Sequence, residues 1–269
     1  MKTQRPIRGQ VILGLVVPLL LCLQLAAQDR SVHSYGALVR EDTSERIIYL
    51  VFTGHEFADG GAVIRRTLLR HKALASFFFT GDFYRNPSFM PLIRRLRDDG
   101  HYLGPHSDKH LLYVSWEKRD SLLITREQFA RDLEGNLRAM AQLGIRREDA
   151  FVFLPPYEWY NDSIAAWTRS LGSILVNFTP GTLSNADYTI PSMGSRYISS
   201  DSIYRRILAY ERSSPSGLNG FFLLLHIGTH PDRTDKFYTR LDSLLSALKK
   251  AGYIFRRFPP RKISQRQGR

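Results

Sequence analysis

Histidines gather at the points of the sequence where an apolar run has just ended. Five of the eight histidines follow three such runs: His55, His106, His110, His226 and His230. In parallel α/β folds the reactive side chains lie at the carboxyl ends of the strands. We therefore expect these imidazoles to meet at one edge of a sheet.

His106 and His110 have the spacing of a pair of metal ligands. If a helix begins at Ser107, both imidazoles project from one of its faces and can bind one divalent ion. A carboxylate from another strand end would complete the ligand set, and Glu56 and Asp59 are the candidates. The alternatives are two surface histidines in a loop, and acidic side chains that stabilise the start of a helix over residues 62–69.

His226 follows five apolar residues, so its ring is expected at the mouth of the sheet. An imidazole with a pKa of about 6.5 can protonate a leaving amine at neutral pH, which makes His226 a candidate general acid. The alternative is a core histidine that is hydrogen-bonded to a neighbouring backbone group.

An aromatic segment follows another predicted strand, directly after Pro155 and Pro156. Sugar rings stack on aromatic faces of this kind. We interpret Pro156, Tyr157 and Trp159 as substrate-binding residues, with packing in the core as the alternative.

The elements that must position these side chains are seven apolar runs, rich in β-branched and aromatic residues, that alternate with helical patterns. Several runs are apolar at consecutive positions, as in parallel strands covered on both faces. The pattern predicts an α/β fold, a distorted (β/α) barrel of about seven strands. The predicted strands are Ile47–Thr53, Ser76–Thr80, His101–Gly104, Phe151–Leu154, Ser173–Phe178, Phe221–His226 and Tyr253–Phe255.

The net charge of +13 is concentrated at the two ends of the chain. Residues 1–27 carry three cations and no acid, residues 256–269 carry six cations and no acid, and the body keeps an excess of +4. So small an excess gives no reason to expect nucleic acid as a partner. The basic tail, residues 259–269, is predicted to be disordered.

Residues 1–27 have the order of a secretory signal: a basic start, an apolar run over residues 11–25, then Ala26 and Ala27. We expect cleavage after Ala27 and a secreted or periplasmic protein with no stable membrane insertion; an uncleaved anchor is the alternative. Cys22, the single cysteine, would leave with the signal, so the mature protein would have no disulfide.

The order of these motifs resembles the NodB-like polysaccharide deacetylases of carbohydrate esterase family 4. The stretch His106-Ser107-x-x-His110 carries the resemblance most strongly, with weaker support from residues 154–157 and 224–226. A variant group whose first motif reads TGHEFADGG is more similar still. The resemblance spans residues 47–255 and implies a distorted (β/α) barrel and a divalent metal such as zinc, with nickel or cobalt as alternatives. It also implies hydrolysis of N- or O-acetyl groups on a polysaccharide by an activated water.

The first motif departs from the family pattern T-F-D-D-G, in which the first aspartate is the base and the second is a metal ligand. His55 and Glu56 stand at these two positions, and Asp59 lies three residues further on. His55 is therefore either the catalytic base or a third histidine ligand, in which case Glu56 or Asp59 takes the proton.

Two further departures concern the partners of the catalytic groups. Leu154 stands where the family has an arginine that pairs with the basic aspartate. Loss of both partners together is coherent, because a buried arginine without its carboxylate is an unpaired cation. The aspartate that orients the acidic histidine is Asn177 here or is absent.

The predicted organisation is a signal peptide (1–27), an N-terminal extension (28–45), a deacetylase-like barrel (46–258) and the basic tail (259–269). The predicted function is metal-dependent deacetylation of an acetylated polysaccharide or oligosaccharide. The first alternative is a degenerate protein of the same fold that binds glycans without hydrolysis, and the second is a metal hydrolase acting on another bond.

Overall fold

A seven-stranded sheet is the centre of the structure, a computed structural model that describes residues 30–259. Two short strands, β6 and β7, form a separate parallel pair. In the large sheet the strand order is β1-β2-β8-β3-β4-β5, and β9 pairs with the start of β3. The strands are β1 (Val32–Ser34), β2 (Ala37–Arg40), β3 (Ile47–Gly54), β4 (Ser76–Phe79), β5 (Tyr102–Pro105), β6 (Val152–Phe153), β7 (Ile174–Leu175), β8 (Phe221–His226) and β9 (Ile254–Arg256).

Backbone contacts join the small pair of strands to both sides of the large sheet. The amide of Leu154, after β6, donates to the carbonyl of Pro105 in β5 (3.2 Å). After β7, Val176 forms a parallel bridge with Leu38 of β2, and the amide of Asn177 donates to the carbonyl of Leu38 (3.0 Å). The strands therefore curl into a distorted barrel, which confirms the predicted fold.

Strand β3 is buried on both faces, as its unbroken apolar run predicts. Ile47, Tyr49 and Val51 pack with side chains of the other strands in the barrel interior. The alternate side chains of β3 pack in the larger cluster between sheet and helices. Each large apolar side chain that is fully buried contributes about 1.5–3 kcal/mol relative to an exposed one.

The helices cover the outside of the sheet, and α4 is the one that matters most for the site. It begins with a capping box, in which Thr125 accepts from the amide of Gln128 (3.2 Å) and Gln128 accepts from the amide of Thr125 (2.7 Å). The helices are α1 (Gly61–Arg70), α2 (Gly81–Arg85), α3 (Met90–Asp98), α4 (Arg126–Ala141), α5 (Asp162–Ser170), α6 (Ser200–Ser213) and α7 (Leu241–Lys250).

A strand is present at each of the seven predicted positions, and several strands begin or end a few residues away from the prediction. Residues 28–45, predicted as an extension, contain β1 and β2, and β2 pairs with β8 antiparallel. The predicted signal peptide and Cys22 lie outside the described residues, as does the predicted tail apart from Pro259. Within residues 30–259 no helix is both long and apolar enough to cross a membrane.

Candidate active site

A pocket of about 630 Å³ opens at the carboxyl ends of β3, β5 and β8. All five histidines that follow these strands line it, as the sequence predicted. The other polar and aromatic side chains around it include Thr53, Glu56, Trp116, Tyr157, Glu158, Tyr188, Arg196 and Thr229.

His106 and His110 lie in a loop after β5, so the helix from Ser107 that would place both rings on one face does not form. Ser107 and His110 both have positive φ angles (72° and 56°), which a helix does not permit. The two rings nevertheless come close together, with centroids 5.2 Å apart.

Helix α4 fixes this loop through side chains that bind its backbone. The carboxylate of Asp132 accepts from the amides of Asp108 (3.1 Å) and Lys109 (3.3 Å) and from the hydroxyl of Tyr113 (2.6 Å). One turn later, the Asn136 amide oxygen accepts from the amide of His106 (2.8 Å). Because residues four apart lie on one helix face, both side chains reach the same loop.

Two glycines allow the loop to pack this closely. A Cβ at Gly81 in α2 would lie 1.9 Å from a carboxylate oxygen of Asp108, and one at Gly135 in α4 would lie 2.9 Å from its carboxyl carbon. Asp108 is held there by Arg85, whose guanidinium donates to it at 2.6 Å. A glycine in the middle of α4 lowers helix stability by about 1 kcal/mol relative to alanine, and the close packing accounts for its presence.

The imidazoles of His106, which is buried, and His110, which is partly buried, are neutral. Burial, together with the neighbouring histidines, lowers the pKa of His106 to about 3 and that of His110 to about 2. His106 Nδ1 donates to the carbonyl of Leu154 (2.8 Å), which leaves Nε2 with a free electron pair. A neutral imidazole whose other nitrogen donates to a carbonyl is the form that binds metals.

His55 joins this pair from the end of β3. Its ring stacks on that of His110, with centroids 4.6 Å apart and planes 11° apart. Its Nδ1 lies 3.1 Å from the hydroxyl of Thr80, the residue that caps α2. We call His55, His106 and His110 the imidazole cluster.

The chemistry of the imidazole cluster fits a divalent metal, because neutral imidazole is a common ligand of zinc and related ions. The rings of His55 and His110 lie stacked in nearly parallel planes. Within the described residues, no three His, Cys, Asp or Glu side chains are arranged to hold a metal ion. The donor set is therefore suitable, whereas the convergence of the donors is incomplete.

The two predicted carboxylate ligands lie in different surroundings. Glu56 lines the pocket with a side chain that is 66% exposed, and one of its oxygens lies 3.9 Å from Nε2 of His55. Asp59 instead accepts from the amide of Thr229 (2.9 Å) and the hydroxyl of Tyr238 (3.0 Å), and pairs with Lys236 (3.1 Å). Asp59 thus ties the loop after β3 to the loop after β8.

His226 is held by an aspartate that the sequence analysis missed. Asp187 accepts from the backbone amide of His226 (2.9 Å) with one oxygen and binds Nδ1 of its ring (2.6 Å) with the other. Burial alone would lower the pKa of His226, but the nearby Asp187 carboxylate more than offsets it, so the pKa is raised. The expectation that Asn177 orients this histidine is wrong, since the Asn177 side chain donates to the carbonyl of Glu158 (2.9 Å).

Aromatic side chains do line the pocket beside the histidines, but they are only partly the ones that were predicted to bind substrate. Tyr157, 43% exposed, lines the pocket and packs against His110 (4.4 Å between centroids). Trp116, 55% exposed, also lines it and stacks on Trp159 (5.3 Å). Trp159 supports Trp116 from behind, with its Nε1 donating to the carbonyl of Ser115 (3.1 Å), and Pro156 is buried.

Sequence reasoning missed three residues of this site: Trp116, Glu158 and Asp187. Trp116 stands in a polar stretch, Ser-Trp-Glu-Lys, where an isolated tryptophan signals exposure. Glu158 lies within a segment that was recognised, between Tyr157 and Trp159. Asp187 lies in a short 3-10 helix, residues 184–188, and no spacing or motif in the sequence distinguishes it.

The sequence profile described as polysaccharide deacetylase matches residues 40–176, about half of the chain. The chain belongs to this family. A curated relative, the peptidoglycan-N-acetylmuramic acid deacetylase PdaA of Bacillus subtilis, is 25% identical over 227 residues, which cover 84% of this chain and 74% of that protein. The match confirms the resemblance to carbohydrate esterase family 4 and the prediction of a hydrolase of that class.

Solved structures of the family share the fold. The structure of B. subtilis PdaA, described as a family 4 carbohydrate esterase, has a TM-score of 0.64 at 23% identity and covers 83% of each chain. A family 4 pseudoenzyme from Bacillus anthracis has a TM-score of 0.63 at 16% identity, over 83% of this chain and 67% of that chain. The family fold thus occurs with and without activity, so the site itself must decide the function of this chain.

Proposed function

We propose that this polysaccharide deacetylase family member hydrolyses N- or O-acetyl groups of an acetylated polysaccharide or oligosaccharide in the pocket above β3, β5 and β8. The observation that carries the proposal is the arrangement of two kinds of histidine around one cavity. Neutral imidazoles line one side, and His226, paired with Asp187, lines the other.

We propose that His106 and His110 hold a divalent metal, zinc being the first candidate and nickel or cobalt the others. His55 is the candidate third ligand because its ring lies beside His110, and Glu56 is the alternative. A bound divalent ion would supply Lewis acidity and lower the pKa of a water molecule in the pocket.

His226 is placed to act as the general acid. Its Nδ1 is engaged by Asp187, so Nε2 is the nitrogen that can give a proton to the leaving amine or alkoxide. Trp116 and Tyr157 form an exposed aromatic surface beside the pocket, suited to stacking on sugar rings. The acetylated peptidoglycan of the PdaA relative is one member of the substrate class to test.

The test is acetate release from a panel of acetylated glycans by metal-free and metal-loaded protein. We expect acetate release that depends on added metal and falls to background in His106→Ala, together with at least a hundredfold weaker metal binding in a direct titration. His33→Ala, at an exposed position of β1, is the matched control and keeps both properties. Metal-loaded wild-type protein that releases no acetate from any member of the panel contradicts the proposal.

The second candidate function is glycan binding without hydrolysis. Two observations favour it: His55 and Glu56 replace the two family aspartates, and the donors of the imidazole cluster do not converge on one point. The B. anthracis pseudoenzyme shows that the fold tolerates loss of activity. Glycan affinity that survives in His226→Ala, with no turnover by the wild type, would support this alternative.

We also propose that the protein is secreted or periplasmic after cleavage behind Ala27. The basic start and apolar run of residues 1–25 support it. Amino-terminal sequencing of the exported protein tests this directly, and a mature chain that begins at Gln28 is the expected result.

A further inference from the structure

Glu158 lines the pocket, and its backbone has an unusual conformation. Tyr157 and Glu158 have consecutive positive φ angles of 59° and 55°, although neither is glycine. Such residues cost of order 1–3 kcal/mol each and persist only where the surroundings hold them. This conformation directs the chain so that Tyr157 and Glu158 both line the cavity.

Contacts from three directions hold this strained turn. The amide of Glu158 donates to the carbonyl of Pro155 (3.1 Å), and the carbonyl of Glu158 accepts from the Asn177 side chain (2.9 Å). The ring of Tyr157 packs between His110 (4.4 Å) and Trp116 (5.7 Å). The position of Glu158 is therefore built into the fold.

The Glu158 carboxylate is partly buried and lacks the partners that other acids near the site have. Asp59, Asp132 and Asp187 each accept two or more hydrogen bonds, whereas no donor among residues 30–259 is hydrogen-bonded to the Glu158 carboxylate. A carboxylate that is buried without a partner is costly, and such groups concentrate at functional sites.

The charged groups around Glu158 favour proton exchange near neutral pH. Burial raises its pKa to about 7; the negative charge of Asp187 raises it as well, and His226 opposes this. The other titratable or charged side chains that line the pocket are Tyr188, Arg196, Glu56, His230 and the imidazole cluster. The pKa values of Glu158 and His226 are both raised, and the two side chains line one pocket, so one can accept a proton as a carboxylate and the other can donate one as an imidazolium.

We infer that Glu158 is the catalytic base of this site, taking the place of the first-motif aspartate that is His55 here. The inference rests on the proposed deacetylation. The candidate carboxylates of the first motif are less suitable, because Asp59 is bound to Thr229, Tyr238 and Lys236 and Glu56 is largely exposed. His55 is left free to serve in the imidazole cluster.

The proposed step balances its protons. As the oxygen of the attacking water bonds to the acetyl carbon, Glu158 takes a proton from that water. As the bond from the acetyl carbon to nitrogen or oxygen breaks, His226 gives its Nε2 proton to the leaving group, which departs as a neutral amine or hydroxyl. Acetic acid leaves and loses its proton to solvent to become acetate, and proton transfer through solvent from Glu158 to His226 restores both groups.

The test compares Glu158→Gln, Glu158→Asp and Glu56→Gln in acetate release at a series of pH values. We expect kcat of the wild type to fall about tenfold per pH unit below the pKa of Glu158, because only the ionised form accepts a proton. Glu158→Gln should lower kcat by about 10²- to 10⁴-fold and remove this acidic limb, and Glu158→Asp should restore part of the activity. Glu148→Gln, an exposed glutamate in another 3-10 helix, is the matched control and keeps the wild-type profile.

Two further measurements separate catalysis from folding. Thermal unfolding and metal affinity of Glu158→Gln should match those of the wild type. In metal-free protein, NMR titration of ¹³C-labelled glutamate should show one carboxyl with a pKa near 7 that is missing from Glu158→Gln.

The outcomes distinguish this inference from the proposed function. If the wild type releases acetate and Glu158→Gln does so at the same rate, or if Glu56→Gln alone removes the acidic limb, Glu158 is not the base. If the wild type releases no acetate, the proposed function fails and the inference fails with it.

Discussion

The pocket contains histidines whose pKa values are shifted in opposite directions on its two sides. On one side, burial lowers the pKa of His106 and His110, and no carboxylate among the described residues is hydrogen-bonded to either ring. On the other side, His226 is partly buried too, but Asp187 binds its ring and its pKa is raised. The comparison shows that the neighbours of a histidine, rather than its burial, decide whether it offers an electron pair or a proton.

The two sides also differ in how the fold holds them. The loop of His106 and His110 is fixed by side chains of α4 that bind its backbone, and by close packing against two glycines. His226 and Asp187 bind each other directly from β8 and the 3-10 helix of residues 184–188. The first side is positioned by a neighbouring helix, whereas the second is positioned by a single pair of residues.

The largest effect is expected at Asp187, because its carboxylate binds both the backbone amide and the ring of His226. Asp187→Asn should lower kcat by about 10²- to 10³-fold with little change in KM, because His226 loses the carboxylate that keeps it protonated and oriented. The pKa of His226 should fall, so the alkaline limb of the kcat profile moves to lower pH. NMR titration of the His226 ring measures this shift independently of turnover.

Asp187 acts through His226, so a role limited to stability must be separated from positioning. Asp98→Asn, at an exposed carboxylate of α3, is the matched control and leaves the profile unchanged. Reduced activity in Asp187→Asn with an unmoved alkaline limb would mean that Asp187 only stabilises the fold.

A smaller effect is expected on the imidazole side, where several contacts share the task. Asp132→Asn should weaken metal binding by about 10- to 100-fold, because the loop amides lose a charged acceptor. The free energy of unfolding should fall by about 1–3 kcal/mol. Metal titration and chemical denaturation measure the two effects, with Glu134→Gln on the exposed face of α4 as the control. Unchanged metal affinity would show that α4 does not position the ligands.

The smallest effect is expected at Trp116, because the hydrogen bonds of Glu158 with Pro155 and Asn177 hold the turn of Tyr157 and Glu158 without it. Trp116→Ala should raise KM for an oligosaccharide by about three- to tenfold and leave kcat unchanged, since one stacked ring contributes about 0.5–1.5 kcal/mol. Leu123→Ala, another exposed apolar residue, should change neither value. An equal loss of kcat in Trp116→Ala would place this residue in the catalytic step.

The fold was predictable because its signals are local. Apolar runs such as the one that forms β3 specify buried parallel strands wherever they lie in the chain. Gly100, Gly144 and Gly252 each adopt a positive φ just beyond a helix, a conformation that favours glycine at this position. The hairpin of β1 and β2 was missed because its strands are three and four residues long, too short to show a period.

The site was predictable only in part, because some of its contacts join distant segments of the chain. The place of the histidines at strand ends follows from the sequence, because parallel strands bring their carboxyl ends to one edge. The partner of His226 does not follow, since Asp187 is 39 residues away and lies in an aperiodic stretch. The loop conformation after Ser107 does not follow from the sequence either, since Asp132 in α4 binds the loop amides of Asp108 and Lys109.

The sequence by itself therefore determined which histidines gather at the pocket, since they directly follow apolar runs that form strands. The tertiary structure decided what each one can do there. Protonation depends on burial and on the charge of the nearest neighbours, and those neighbours come from distant segments. That is why the pKa of His106 is lowered and that of His226 is raised, although both histidines follow a predicted strand.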